Sequence, residues 1–449
     1  MSRRRAWLDG QGIFYLLALY VTSLVGLSVV VGLTQAMASI RAANHTVAQA
    51  RAFQLAEGGV DDALGWLKAQ NPPPAAANLR LYPFCNPITV QCAPPAGGGD
   101  IAATLTLDAS NPNALSLFTY AITVGASAGG FTFQRTVDTY FRTRSFSRYM
   151  YFTNRERRQD GTIIWFVSSD QITGPLHSND ELNVSGSPTF DGPVSSTAAS
   201  VHCMNHCPPD APHFNGGLSL GVEPIPLSEA ALHDSLEGLR TQADLVLTGN
   251  TTVTLDGGTM LVSNTAQAWF EHPVSLAGPS ALYVTGGNLT LGGGTLNGQL
   301  TLGSDQDIII KNSVNYTCDP EHANPADPNH DLDCRSASDN DDVLGLVATQ
   351  NIKVAATAPT DVTIQASMMA INGSFSVENY NRIATKGTLH IFGGVIQNTR
   401  GAVGTFDSRT GRRVSGYQKA YRYDERFKSL APPLYPRTNK YDLVVWREQ

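Results

Sequence analysis

Charge is what this chain has least of. Asp, Glu, Lys and Arg make up 15 % of its 449 residues, against about 25 % in an ordinary soluble domain. Acids outnumber bases, leaving a net charge of -7 and a pI near 5.8, so there is no basic field to hold nucleic acid, and nucleic acid is not an expected partner. Cysteine is limited to six residues. Their positions, Cys85 and Cys92, Cys203 and Cys207, Cys318 and Cys334, read as three local pairs, and an even count at close spacing in an exported chain favours disulfides. What is plentiful is turn chemistry. Gly 41 and Pro 25, with many Ser, Thr and Asn, suit a β-rich chain of short strands.

One long apolar run breaks this texture. Residues Ile13 to Leu33 are almost uninterruptedly apolar, about the ~20 residues a helix needs to cross the hydrocarbon core. Arg3, Arg4 and Arg5 precede the run and favour a cytoplasmic N-terminus, with the bulk of the chain periplasmic or extracellular. A cleavable signal peptide would have a shorter apolar region followed by a small-residue cut site, whereas here the pattern continues into more helix. Ala36, Ile40, Ala43, Val47, Ala50, Phe53, Ala56, Val60, Ala63, Leu64 and Leu67 recur at three- and four-residue steps, which is one helical face. The spacing predicts a single helix from about residue 13 to about 69, stopped by Pro72, Pro73 and Pro74. A plain tether has no use for a patterned face beyond the bilayer, so a partner helix or the chain's own domain is expected against it.

The basic start, the apolar helix and the phrase Arg51-Ala52-Phe53-Gln54-Leu55-Ala56-Glu57-Gly58-Gly59-Val60 resemble the N-terminal module of PilX-type minor pilins and type IV pilus assembly proteins, over roughly residues 1 to 70. The resemblance implies an inner-membrane helix that is drawn into a filament of pilin helices. Its partners would be pilin and minor pilin subunits, and its assembly residues Ile13, Leu17, Phe53, Leu55, Ala56, Glu57 and Val60. Pilins usually carry a glutamate five residues after the peptidase glycine. With Gly12 as the last leader residue Leu17 stands there, and with Gly10 it is Tyr15. Subunits at the tip of related pseudopili also lack that glutamate, so the departure leans towards a tip or initiating role.

Beyond the helix the expected fold is α+β to mainly β. Alternating runs between Asp100 and Arg144, such as Ala103-Thr104-Leu105-Thr106-Leu107, predict a small antiparallel sheet over 71–148, packed on the helix. From Tyr149 short β runs recur between glycine, asparagine and proline turns, too short to stand alone. Stacked as rungs they would bury a continuous core, so a β-helix or solenoid-like domain is expected over 149–416, with a β-sandwich as the alternative. Gly174-Pro175-Leu176-His177-Ser178-Asn179-Asp180 and Asp342-Val343-Leu344-Gly345-Leu346-Val347-Ala348 resemble an uncharacterised domain of pilus-associated exported proteins, to which no activity attaches. Residues 417–449 read as a C-terminal tail that caps the solenoid and finishes in one strand; its tyrosines among arginines and lysines also suit grip on a glycan.

Three constellations carry candidate chemistry. Asp327, Asn329, Asp331 and Asp333, spaced two apart, can turn oxygen ligands towards one hard cation, and calcium is the candidate cofactor. The loop is not an EF-hand, since Leu332 and Ser338 stand where glycine and glutamate are needed; Asp339, Asp341 and Asp342 are further candidate ligands. His202, Cys203, His206, Cys207 and His213 offer soft ligands for zinc, at a spacing that matches no common knuckle. His177 with Asp180 and Glu181 is the best local set for polysaccharide chemistry, although such a turn is more often a hydrogen-bonded corner. The function expected is structural rather than enzymatic: a membrane-anchored, pilus-associated subunit presenting a β-rich module at the cell surface for tip assembly or adhesion. The alternatives are a tethered surface enzyme acting on polysaccharide and a self-stacking envelope scaffold.

Overall fold

The computed structural model describes residues 10–70, 76–81, 101–107, 119–127, 134–204, 212–318, 341–407 and 412–448. The chain divides into two compact units: residues 1–107, 120–141 and 443–449, and residues 108–119 and 142–442.

The first unit is built on α1 (Gly10–Lys68). The apolar run predicts its first half and the alanine-rich pattern its second, since alanine and the unbranched side chains lose little freedom in a helix. Ala48, Ala52, Ala56, Val60, Ala63 and Leu67 are buried, in steps of three and four. Against this face lies an antiparallel sheet of β1 (Ala76–Leu81), β2 (Ile101–Leu107), β3 (Thr119–Ser127) and β4 (Gln134–Ser145), with α1 touching β1 and β2. Buried Ala103 and Leu105 alternate with exposed Thr104 and Thr106 on β2, and Val137, Thr139 and Phe141 are buried on β4. Period-two burial is what a sheet with one covered face requires. The fifth strand of this sheet, next to β4, is Arg437–Glu448. The segment 417–449 therefore departs from the capping tail expected. Arg413–Tyr423 is a rung of the second unit, and the C-terminal strand returns to the sheet that the chain left after β4.

In the second unit the strands stack in parallel, residue on residue. Ladder partners link Leu245, Leu282, Leu302, Leu346, Met368 and Val395, then Tyr151, Leu176, Val194 and Leu218, in one column. Parallel pairing on this scale is the solenoid-like arrangement; a sandwich would pair its strands antiparallel. The order in the column is not the order in the chain. The chain enters at β5 (Tyr151–Arg155), which pairs with the last coil, Thr385–Thr399, and stacks outward to Leu218–Leu220. It then returns through α2 (His233–Gln242) to the far end and coils back from Leu245 until it meets β5 again. Ile225, Leu227, Leu232, Leu236 and Leu239 of the return pack on the outward side chains Tyr283, Val347, Met369, Ile396 and Phe152. The cost of a long chain return is thus met by burying a second apolar layer.

The two ends of the stack differ. Thr251–Gly257 is covered by the antiparallel strands Thr259–Asn264 and Trp269–Ser275, whereas at the other end His213–Phe214 and Leu218–Leu220 pair on one side only among the described residues.

Where coils turn into the column, backbones touch. At Gly192 a Cβ atom would lie 2.1 Å from the carbonyl oxygen of Gly174, and at Gly216 one would lie 2.2 Å from the backbone of Gly192. A side chain here meets main chain that cannot swing aside. Gly192→Ala is expected to cost about 1–3 kcal/mol, read as a lowered midpoint in thermal unfolding of the full chain; an unchanged midpoint would show that the coils are not in this contact.

Candidate functional sites

The assembly helix presents its expected residues unequally. Ile13 and Leu17 are exposed, at 54 % and 61 %, like the rest of the run to Leu33. In a chain that enters water such a surface needs lipid or protein around it. The helix is long and apolar enough over this run to cross a membrane. Ala56 and Val60 are buried, while Phe53, Leu55 and Glu57 are half-buried. The expected face is only partly the buried one. Ile40 and Val47 point outward, and Ala48 and Ala52, missed by the sequence pattern, point in. The pattern and the packed seam coincide from Ala56 onward, at Ala56, Val60, Ala63 and Leu67, and diverge before it.

His177 is buried on the outer side of the first ladder. Its Nδ1 lies 2.8 Å from Ser195 Oγ and its Nε2 2.9 Å from Asn179 Oδ1, and its ring packs on Phe152 at 5.1 Å. Asn179 in turn accepts a hydrogen bond from the Ile225 N–H and donates to the Ile225 carbonyl, pinning the start of the return segment. Asp180 accepts hydrogen bonds from the main-chain N–H groups of Glu156 and Glu181, and Glu181 accepts one from Ser200 Oγ. The three side chains are each engaged by separate partners.

Burial lowers the His177 pKa, opposed by its bond to Asn179. The folded state therefore favours the neutral ring, and the unfolded chain takes up the proton first. Stability is full above the unfolded value near 6.5 and falls as pH drops below it towards the folded value. His177→Asn is expected to flatten this part of the pH dependence in thermal unfolding; an identical slope in the variant would contradict the assignment.

The candidate calcium ligands Asp327, Asn329, Asp331 and Asp333 lie outside the described residues, as do Asp339 and Cys334. Asp342 is committed elsewhere: it is buried and accepts hydrogen bonds from the Gly298 and Cys318 N–H groups, and burial pushes its carboxyl pKa up. Cys203 and Cys318 are both disulfide-bonded; Cys85, Cys92, Cys207 and Cys334 are outside the described residues. His202 is bonded to Asn183 Oδ1 at 2.7 Å and packs on Trp165 at 5.0 Å. Among the described residues no group of three His, Cys, Asp or Glu side chains is arranged to hold a metal.

A feature the sequence did not announce is a charged layer where the first coil meets the last. Glu156 and Arg400, at 0 % and 2 % side-chain exposure, pair at 2.8 Å. Arg400 also donates to the Ile164 carbonyl at 3.0 Å and lies 3.6 Å from the Phe166 ring centre. Lys419 pairs with buried Asp170 at 3.0 Å, and Gln397 donates to the Tyr151 hydroxyl. Burial pulls the Arg400 guanidinium pKa down, but Tyr151 and Glu156 more than offset this. Beside the layer an open groove of about 700 Å³ is lined by Arg158, Lys353, Glu378, Tyr380 and Arg400. Its acids are already engaged: Asp160 with Arg158, and Glu378 with the Ala356 N–H.

Residues 117–207 match a domain of unknown function (DUF4900). That stretch contains the Gly174–Asp180 phrase and less than a quarter of the chain. No curated protein matches. Among solved structures, the crystal structure of the competence-associated pilin ComZ from Thermus thermophilus is similar at 13 % identity and a TM-score of 0.32, over 90 % of this chain and 97 % of that one.

Proposed function

We propose that this chain is a membrane-anchored, pilus-associated structural subunit. α1 carries it into a filament of the type IV pilus class, and the solenoid-like unit is presented for tip assembly or adhesion. The observation that carries this reading is the division of α1: an exposed apolar half, Ile13 to Leu33, continues without a break into a half whose alanine-lined face packs on an antiparallel sheet. Such a helix can pass from lipid into a bundle of like helices without refolding, because both surroundings solvate the same apolar surface. The missing glutamate at Leu17 supports a place where no neighbour's amino terminus needs pairing. Blotting sheared and pelleted filaments for an epitope-tagged chain tests the reading. Recovery with the filaments supports it; recovery only in washed envelopes contradicts it.

Within this reading Cys203 pairs with Cys207 and Cys318 with Cys334, closing short loops that suit an oxidising compartment. The loop clamped by the latter pair holds one calcium ion through Asp327, Asn329, Asp331 and Asp333. Titration calorimetry with calcium on the intact chain and on Asp331→Ala tests this: one site lost in the variant supports it, and no heat in either contradicts it.

A further inference from the structure

We propose that Lys419 and Asp170 condense to an isopeptide bond, a covalent strut joining the first coil of the solenoid to Arg413–Tyr423, the strand that follows the last coil. The two atoms that must meet are already in contact, with Lys419 Nζ 3.0 Å from Asp170 Oδ2. Both are held by rigid main chain. Asp170 sits in a closed turn in which its N–H donates to the Val167 carbonyl at 2.7 Å while its carboxylate accepts from the Val167 N–H at 3.1 Å. Lys419 lies on Arg413–Tyr423, paired residue for residue with the last coil and with Gln171–Thr173.

The reaction balances without a co-reactant. Ammonium and carboxylate become amide and water: one Nζ proton passes to the carboxyl, the nitrogen lone pair attacks Cγ, a second Nζ proton follows to the departing oxygen, a C–N bond forms and a C–O bond breaks. Three features of the site favour this over a lasting ion pair. Burial, opposed by the charge of Asp170 and aided by that of Arg400, lowers the Lys419 pKa and so raises the share of free amine. The Val167 N–H is placed to steady charge on the carboxyl oxygen as the tetrahedral centre forms. Next to Lys419 and Arg400 a cavity of about 10 Å³, walled by Tyr151, Phe166 and Tyr421, has room for about one water molecule, the product that must leave. Fixed reacting groups reach effective concentrations of about 10⁵–10⁸ M, which lowers the barrier to amide formation.

The strut would add a covalent link to a junction otherwise held by hydrogen bonds, packing and the Glu156–Arg400 ion pair. It does not depend on the pilus reading, since its test reads mass alone. The test is mass spectrometry of the reduced, alkylated full chain, with peptide mapping after trypsin. We expect a deficit of one water molecule, mapped to a branched peptide joining the Asp170 and Lys419 segments, with no cleavage after Lys419. In Asp170→Ala and Lys419→Arg the branched peptide should be lost entirely. An intact mass in the natural chain, or a water deficit mapped elsewhere, overturns the proposal, and neither result depends on whether the variants fold.

Discussion

Arg400→Ala is expected to lower the stability of the solenoid-like unit by about 3–5 kcal/mol, because it leaves Glu156 charged, fully buried and without its cation. For a unit of this size each kcal/mol shifts the unfolding midpoint by roughly 2–4 °C, so the midpoint of the full chain in detergent should fall by on the order of 10 °C. The control is the double variant Glu156→Leu with Arg400→Met, which removes both charges and keeps the volume. Replacing a buried pair by packed apolar groups is often neutral, so the double variant should recover most of the loss. The exposed pair Lys428–Glu425 is the opposite case: Lys428→Ala should change the midpoint little, as surface pairs contribute about 0–1 kcal/mol. A single variant at Arg400 that melts with the natural chain would mean that the layer is open to water.

The second large effect concerns the anchor. Leu24 and Leu27 lie in the exposed apolar half of α1, and an arginine at the centre of a spanning helix costs about 2.5–3.5 kcal/mol on the insertion scale. Leu24→Arg with Leu27→Arg should move the chain from the carbonate-washed membrane pellet to the soluble fraction, or lead to its degradation. The same pair of changes at Ile40 and Val47, also exposed but beyond the run, should leave it in the pellet. Retention of the Leu24/Leu27 variant in the pellet would contradict a spanning role for Ile13 to Leu33.

The local pattern of the sequence foretold the long helix and several of the strands, because both depend on short-range periodicity. Gln299–Ser304 and Val343–Ala348 form where apolar runs lie between turns. The run Ile163-Ile164-Trp165-Phe166-Val167, whose apolar β-branched and aromatic residues predict a strand, is a strand only at Phe166–Val167; the Ile164 and Trp165 carbonyls face Arg400 instead. Closure of the stack was not legible. That Val395 should lie beside Tyr151 depends on which coil is left uncovered once the return segment has crossed, and no spacing in the chain encodes it. The same holds for the C-terminal strand, whose Leu443, Val444 and Trp446 read as a cap but extend the first sheet. Candidate chemistry fared as its residue types suggest. His177 lies on the strand Leu176–Ser178 and Asp180 in the turn after it, each satisfying nearby partners, while Glu156, Arg400, Asp170 and Lys419 meet only through the fold.

Immunogold electron microscopy of filaments from cells making a tagged chain tests most directly whether α1 is an assembly helix. Label at filament ends is predicted, lost when Ile13 to Leu33 is replaced by an unrelated membrane helix. Label confined to the cell envelope, with unlabelled filaments, would contradict it.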